Sequence, residues 1–134
     1  MKEYYFKAMK LAHKVHENQF RRNNIPYLIH PLRVSNSFSD YTKKTIAILH
    51  DVVEDSNISI DELSAEFPVE ITDILVLMTK IEGEEYGDYI KRISKNVVAT
   101  EIKLADIADN LSDEPSEKQI IKYTLALETL INNL

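Results

Sequence analysis

One short run, His50-Asp51-Val52-Val53-Glu54-Asp55, puts a histidine, two aspartates and a glutamate side by side. On a helix, His50 and Glu54 are i, i+4 neighbours, as are Asp51 and Asp55, with Cβ atoms about 5–6 Å apart. The apolar residues Ile46-Ala47-Ile48-Leu49 lead into them, so the first turns of that helix belong in a core. Carboxylates carried into such a place need positive partners, because burying them alone is costly. A divalent metal meets that need. His30, before Pro31 at a helix start, and Asp106, flanked by Leu104, Ala105, Ile107 and Ala108, are the residues elsewhere that suit the same shell. Two imidazoles and two carboxylates fit Mn²⁺, Fe²⁺, Co²⁺ or Zn²⁺ with positions left for water. Such an ion lowers the pKa of water and stabilises charge on phosphoryl oxygens. Glu54 and Asp55 would then stand where protons are exchanged. Each residue also has a plainer reading: a structural His-Asp pair, a helix-capping His30, a solvated face for Asp106 and Asp109.

Composition bounds the rest. The 134 residues suffice for a core and predict one domain. There is no cysteine, which excludes disulfides, thiolate nucleophiles and cysteine-based zinc sites. The net charge of −6 argues against broad nucleic-acid binding, which needs a basic surface, but leaves room for a small anion at a local basic cluster. No apolar run approaches the ~20 residues of a membrane span, and Met1-Lys2-Glu3-Tyr4-Tyr5 has no signal-peptide character. The expectation is a cytoplasmic protein without membrane or nucleic-acid partners.

The elements that must position these groups read as helices. Tyr5, Ala8, Leu11, Ala12 and Val15 recur at helical spacing within 4–20. Arg21–Tyr27 reads as a loop, and His30-Pro31 as a helix entry. Further helices are expected from Tyr41 or Thr42 to Glu54, from a capping box at Ser59-Ile60-Asp61-Glu62 to before Pro68, and over 69–81, 86–94 and 99–111. The last runs from beyond Ser116 to the C-terminus. The fold class is all-α, a bundle of about six to eight helices.

Other chemistry-bearing residues carry less. No acidic residue stands at helical spacing from both His13 and His16, so His16 is expected to be structural. Lys43-Lys44 reads as a solvated helix start, and Tyr4-Tyr5-Phe6 as packing. Lys91, Arg92 and Lys95 share a helix that is either phosphate-facing or an outer charged face, and Tyr86–Arg92 is either a lid or plain packing.

Three ordered motifs together resemble a known family. His50–Asp55 matches the signature of HD-type hydrolases of the RelA/SpoT class, especially the small stand-alone members of the metazoan SpoT-homologue group. Gln19–Pro31 follows that family's Q-x-R-K-x-G-x-P-Y-x-x-H-P, and Lys103–Asn110 its K-L-A-D-x-x-x-N. The resemblance implies one HD domain over residues 1–134, with His30, His50, Asp51 and Asp106 as ligands of Mn²⁺ or another divalent transition metal. It implies Glu54 and Asp55 at the attacking water, Arg21 against a purine base, Arg22 and Lys103 near phosphates, and Asn110 and Tyr123 beside the nucleotide. It also implies the reaction: hydrolysis of the 3′-pyrophosphate of guanosine tetra- or pentaphosphate to GDP or GTP and pyrophosphate.

The departures fall around the substrate. Asn24 replaces a glycine, which asparagine's tolerance of positive φ can accommodate. Ile107, Asp109, Ser112 and Asp113 stand where the family often has two basic residues, a histidine and a threonine, and Gln119 replaces an arginine. Two alternatives therefore stay open: the same metal-dependent hydrolysis on another nucleotide, such as a 3′-phosphorylated dinucleotide or a nucleoside phosphate, or a non-catalytic nucleotide-binding module. Retention of both Glu54 and Asp55 favours an enzyme, because a binder needs neither.

Overall fold

The computed structural model describes residues 1–134 except Arg22, so the phosphate contact expected of Arg22 lies outside the described residues. Eight helices are described: α1 (Lys2–Val15), α2 (Ile29–Asn36), α3 (Tyr41–Asp55), α4 (Ile60–Ser64), α5 (Val69–Met78), α6 (Tyr86–Ile93), α7 (Val97–Leu111) and α8 (Glu117–Asn132). Extended pairing among the described residues amounts to an isolated bridge between Phe20 and Pro26. The all-α expectation holds, at the upper end of the expected number. No helix is long and apolar enough to cross a membrane, among the described residues.

The fold is arranged around α3. Thr45 to Val52 are buried without a break, and a helix apolar on more than one face must be enclosed on several sides. α1, α2, α5 and α7 pack against it. Ile46, Ile48 and Leu49 meet Ile71, Leu75, Ile102 and Ile107 in one core. Asp40 starts α3 by accepting a hydrogen bond from the Thr42 backbone N–H, and the expected Ser59–Glu62 capping box starts α4. The same device, Ser116 with Gln119, starts α8. The buried middle of α3 thus delivers its C-terminal turn, with His50 and Asp51, to a fixed place beside α2 and α7.

Helix ends depart from the sequence reading for identifiable reasons. α1 stops at Val15 rather than continuing to Phe20. Beyond it, Tyr27 N–H bonds to Gln19 O and Arg21 N–H to Ile25 O, both at 2.8 Å. This small hairpin satisfies backbone groups that a helix would otherwise have used. Asn24 turns it with φ of 63°, so the turn survives without glycine. α7 begins at Val97, earlier than periodicity suggested, because the Asn96 side chain caps it through Ala99 N–H.

Candidate metal centre

His30 enters from the first turn of α2, His50 and Asp51 from α3, and Asp106 from α7; all four are buried. Their positions differ widely along the chain, yet α2, α3 and α7 pack mutually. The His30 ring lies with Nε2 2.8 Å from Asp106 Oδ1 and 3.7 Å from Asp51 Oδ1. Donor atoms of His30, Asp51 and Asp106 all fall within 4.8 Å of one another, and so do those of His50, Asp51 and Glu54. The four expected ligands, together with Glu54, therefore form two overlapping triples that share Asp51.

His50 supplies the test of fit. Its Nε2 is 3.1 Å from Glu54 Oε1, but it is buried and has no aligned hydrogen-bond partner. A buried ring nitrogen left in this state is costly, and a cation shared with Asp51 would take the place of its proton. Two imidazoles with several carboxylates are a donor set for a borderline divalent ion. The residues fit one.

The protonation states follow from who faces whom. Burial by itself would lower the His30 pKa, but Asp106, Asp51 and Asp109 outweigh it and raise it to about 9. For His50 burial acts the same way and Glu54 overrides it, again giving about 9. Burial and the neighbouring Asp106 push the Asp51 carboxyl well above its usual range, although His50 and His30 pull the other way. Asp106 goes in the opposite direction: burial would raise it, but the Lys103 ammonium, 2.9 Å from Oδ2, and both histidines hold it low. Burial would also raise Glu54, yet His50 and Lys103 keep it below the usual value. Glu54 is thus a carboxylate at neutral pH, and its side chain remains 42% exposed.

A cavity of about 240 Å³ opens beside this cluster. Asp51, Glu54 and Asp106, with His30 among them, form its acidic side; Lys80, Lys103, Lys122 and the rings of Tyr86, Tyr89 and Tyr123 are prominent in the rest. A second recess of about 180 Å³, lined by Phe20, Arg21 and Gln119 among others, shares Tyr27 and Asn110 with it. Lys103, Asn110 and Tyr123, expected near a nucleotide, do line the main cavity. Asp55 does not line it: burial and the neighbouring Glu54 charge raise its pKa, against the pull of His16 and Tyr27.

Arg21 is brought to the second recess but is held there by its own chain. Its guanidinium pairs with Asp109 at 2.9 Å and Asp113 at 2.7 Å, and donates to Asn110 Oδ1 at 3.1 Å. Edge-on hydrogen bonds of this kind fix the plane of the group. The two aspartates that depart from the family pattern are thus the partners of Arg21.

Asp109 is also the residue that sequence reasoning missed most plainly. His30 Nδ1 donates to its Oδ2 at 2.7 Å, so both ring nitrogens are assigned and Nε2 is aimed at the cluster. A carboxylate behind a ligating imidazole typically changes metal affinity by about 10–100-fold. Replacing Asp109 with Ala is expected to weaken Mn²⁺ binding by about that factor, read by competition with a chelator; unchanged affinity would dismiss this role. Its position three residues after Asp106, on the same helical face, was the available signal. Tyr27 acts similarly, its hydroxyl donating to Asp51 Oδ1 at 3.2 Å. Lys80, Lys122, Tyr86 and Tyr89 carried no motif at all.

The remaining candidates resolve as packing. His16 is buried, paired with Gln19 through Nδ1 at 2.9 Å and stacked near Tyr27. Arg92, in the last turn of α6, binds Glu84, Leu77 O and Thr79 O, tying the end of α6 to the end of α5 and to the connection between them. The α6 segment is therefore packed in place while Tyr86 and Tyr89 form a wall of the cavity. Lys43 and Lys44 are not simply solvated: Lys43 pairs with Glu101 at 2.6 Å, and Lys44 donates to Ser35 O. Tyr4 rests on Phe67 and Tyr5 on Tyr41, as expected for packing.

No family model matches the chain. It is 33% identical, across 92% of its length, to a Mycobacterium leprae protein named "Probable GTP pyrophosphokinase", of which it covers 18%. It is 41% identical, across 57% of its length, to the guanosine-3′,5′-bis(diphosphate) 3′-pyrophosphohydrolase of Borreliella burgdorferi, covering 12% of that protein. The chain thus spans about a fifth or less of these curated relatives. A solved structure, described as a metazoan orthologue of SpoT that hydrolyses ppGpp, superposes with a TM-score of 0.80 at 25% identity, covering 97% of this chain and 84% of that one.

Proposed function

We propose, from the premise that this chain belongs to the HD-domain RelA/SpoT class, that it is a divalent-metal-dependent nucleotide phosphohydrolase, formed as one HD domain over residues 1–134. Its proposed reaction is the hydrolysis of guanosine 3′,5′-bis(diphosphate), or the 5′-triphosphate form, to GDP or GTP and pyrophosphate. The observation that carries this reading is the convergence of His30, Asp51 and Asp106, with His50 and Glu54 adjoining through Asp51, on a cavity whose other lining is lysines, tyrosines and Asn110.

His30, His50, Asp51 and Asp106 would hold the ion, proposed to be Mn²⁺. When bound, the ion makes water more acidic and offsets charge on the phosphoryl oxygens. The protein's own part is positioning and proton transfer. Glu54, deprotonated and at the cavity surface, accepts the proton of the attacking water at a carboxylate oxygen. Asp55, outside the cavity, acts on Glu54 through its charge. Lys103, anchored on Asp106, adds positive potential near the phosphates. Asn110, shared by the cavity and the second recess, and Tyr123, beside it in the cavity, fit the sugar. The face of Arg21, its edge fixed by Asp109 and Asp113, is offered to the purine, as a planar cation can stack on a base. Those same aspartates neutralise the recess, which supports a second reading in which another purine nucleotide with a 3′-pyrophosphate is preferred.

The test is incubation with Mn²⁺ and a panel of nucleotides, products being separated by chromatography. GDP and pyrophosphate from guanosine 3′,5′-bis(diphosphate), abolished by EDTA, is the expected result. Turnover confined to a different nucleotide would select the second reading, and none at all would end both.

A further inference from the structure

Three lysines line the main cavity, and they are not equivalent. Lys103 is buried and ion-paired with Asp106 at 2.9 Å. Lys80 and Lys122 are exposed, and neither has an ion pair among the described residues. Lys80 follows α5, whereas Lys122 projects from α8. Ordinarily, free ammonium groups on a surface sweep through solvent. Lys122 does not: its Nζ lies 4.3 Å from the centre of the Tyr86 ring and 5.5 Å from that of Tyr123. Cations held over aromatic faces in this way gain attraction without losing their charge. Lys122 is also crowded by like charge. Burial, then Lys103, Lys80 and Lys118, lower its pKa. A protein that gathers unpaired cations at the mouth of one cavity keeps them apart only at a cost, and an anion removes that cost.

The acidic cluster cannot be where all of a bis(diphosphate) sits. Its two anionic groups repel each other, and the donor atoms of His30, Asp51 and Asp106 surround a place for one cation. The second group needs cations of its own. We propose that Lys122 and Lys80, with Tyr86 holding the Lys122 ammonium in place, form a subsite for the 5′-diphosphate of the substrate rather than for the pyrophosphate that is cleaved. This deepens the phosphohydrolase reading and rests on it for the identity of the anion. Lysine serves here as a point charge, a role for which it is well suited towards phosphate.

The test compares two substrates with the Mn²⁺-loaded protein: guanosine 3′,5′-bis(diphosphate) and guanosine 3′-diphosphate, which has no 5′-phosphate. Lys122→Ala is expected to raise KM about 10-fold or more on the first, the usual scale for a lost charge-assisted hydrogen bond. On the second its kcat/KM should change less than about 2-fold, and Lys122→Arg should recover most of the loss on the first. An equal loss on both substrates, or a loss seen in kcat alone, would place Lys122 with the leaving pyrophosphate or with the packing and overturn the proposal. So would no loss on either. If the wild-type protein turns over neither nucleotide, the phosphohydrolase reading fails first. The subsite then stands or falls on calorimetric titration of the metal-free protein with inorganic pyrophosphate. Binding weakened about 10-fold by Lys122→Ala supports it, and binding that is absent or indifferent to the substitution rejects it.

Discussion

Replacing Asp106 with Ala is expected to leave purified protein without its divalent ion and without turnover. Three interactions converge on this carboxylate. Oδ1 accepts from His30 Nε2 at 2.8 Å, Oδ2 from Lys103 Nζ at 2.9 Å, and the group belongs to the triple with His30 and Asp51. Alanine removes all three. It also strands Lys103, whose ammonium is almost wholly enclosed, with a side-chain exposure of 7%. Breaking a buried ion pair by removing one partner costs about 3–5 kcal/mol, because the other charge stays buried unpaired. The Ala variant should therefore lose both metal and thermal stability. Asp106→Asn separates the two effects. It keeps the volume and a hydrogen-bonding oxygen while removing the negative charge, so more of the packing remains although the ligand is gone. Metal analysis by mass spectrometry alongside thermal unfolding checks this. Full metal content in both variants would remove Asp106 from the shell, whatever happened to the melting temperature.

What could be read from the sequence divides along a physical line. His50, Asp51 and Glu54 were legible because their relation is local: one helical turn fixes it. His30 and Asp106 were legible only through motifs, because nothing local says that α2 and α7 meet. The buried stretch of α3 was legible from Ile46 to Leu49, and the capping box at Ser59 from four residues. The end of α1 was not. Phe20 continues the apolar spacing, yet it is 60% exposed, and its neighbours' backbone groups are taken by the hairpin that Asn24 turns. Asp109 and Asp113 were read as losses relative to a pattern. Their gain, the pairing with His30 and Arg21, spans sequence separations of 79 and 88 residues for Asp109 alone and leaves no local trace. Lys80 and Lys122 were invisible for the same reason. They lie on a connecting segment and on a helix face, and only the packing of α5, α6 and α8 gives them a common cavity.

Glu54→Gln is expected to keep the metal and lower kcat by about 10²–10⁴-fold, the range of a positioned proton-transfer group. Glutamine has nearly the shape of glutamate, sits on the same turn of α3, and can still approach His50. It lacks only the charge and the basicity. The environment of Glu54 makes that difference decisive, since His50 and Lys103 hold the wild-type carboxyl below its ordinary pKa despite burial, so the base is present in its working form at neutral pH. Its place at the cavity surface, unlike the enclosed Asp51 and Asp106, leaves it free to meet water. Metal content must be measured on the same preparation, because Glu54 also lies within the triple of His50 and Asp51. A variant that lost metal would show a ligand rather than a base. Asp55→Asn provides the contrast. Asp55 does not line the cavity, so its substitution should cost less than about 10-fold, an effect felt through charge alone. If Asp55→Asn proved the more damaging of the two with metal retained in both, the base would have to be Asp55, reached by a rearrangement of the end of α3. Undiminished turnover in Glu54→Gln would remove Glu54 from the reaction altogether.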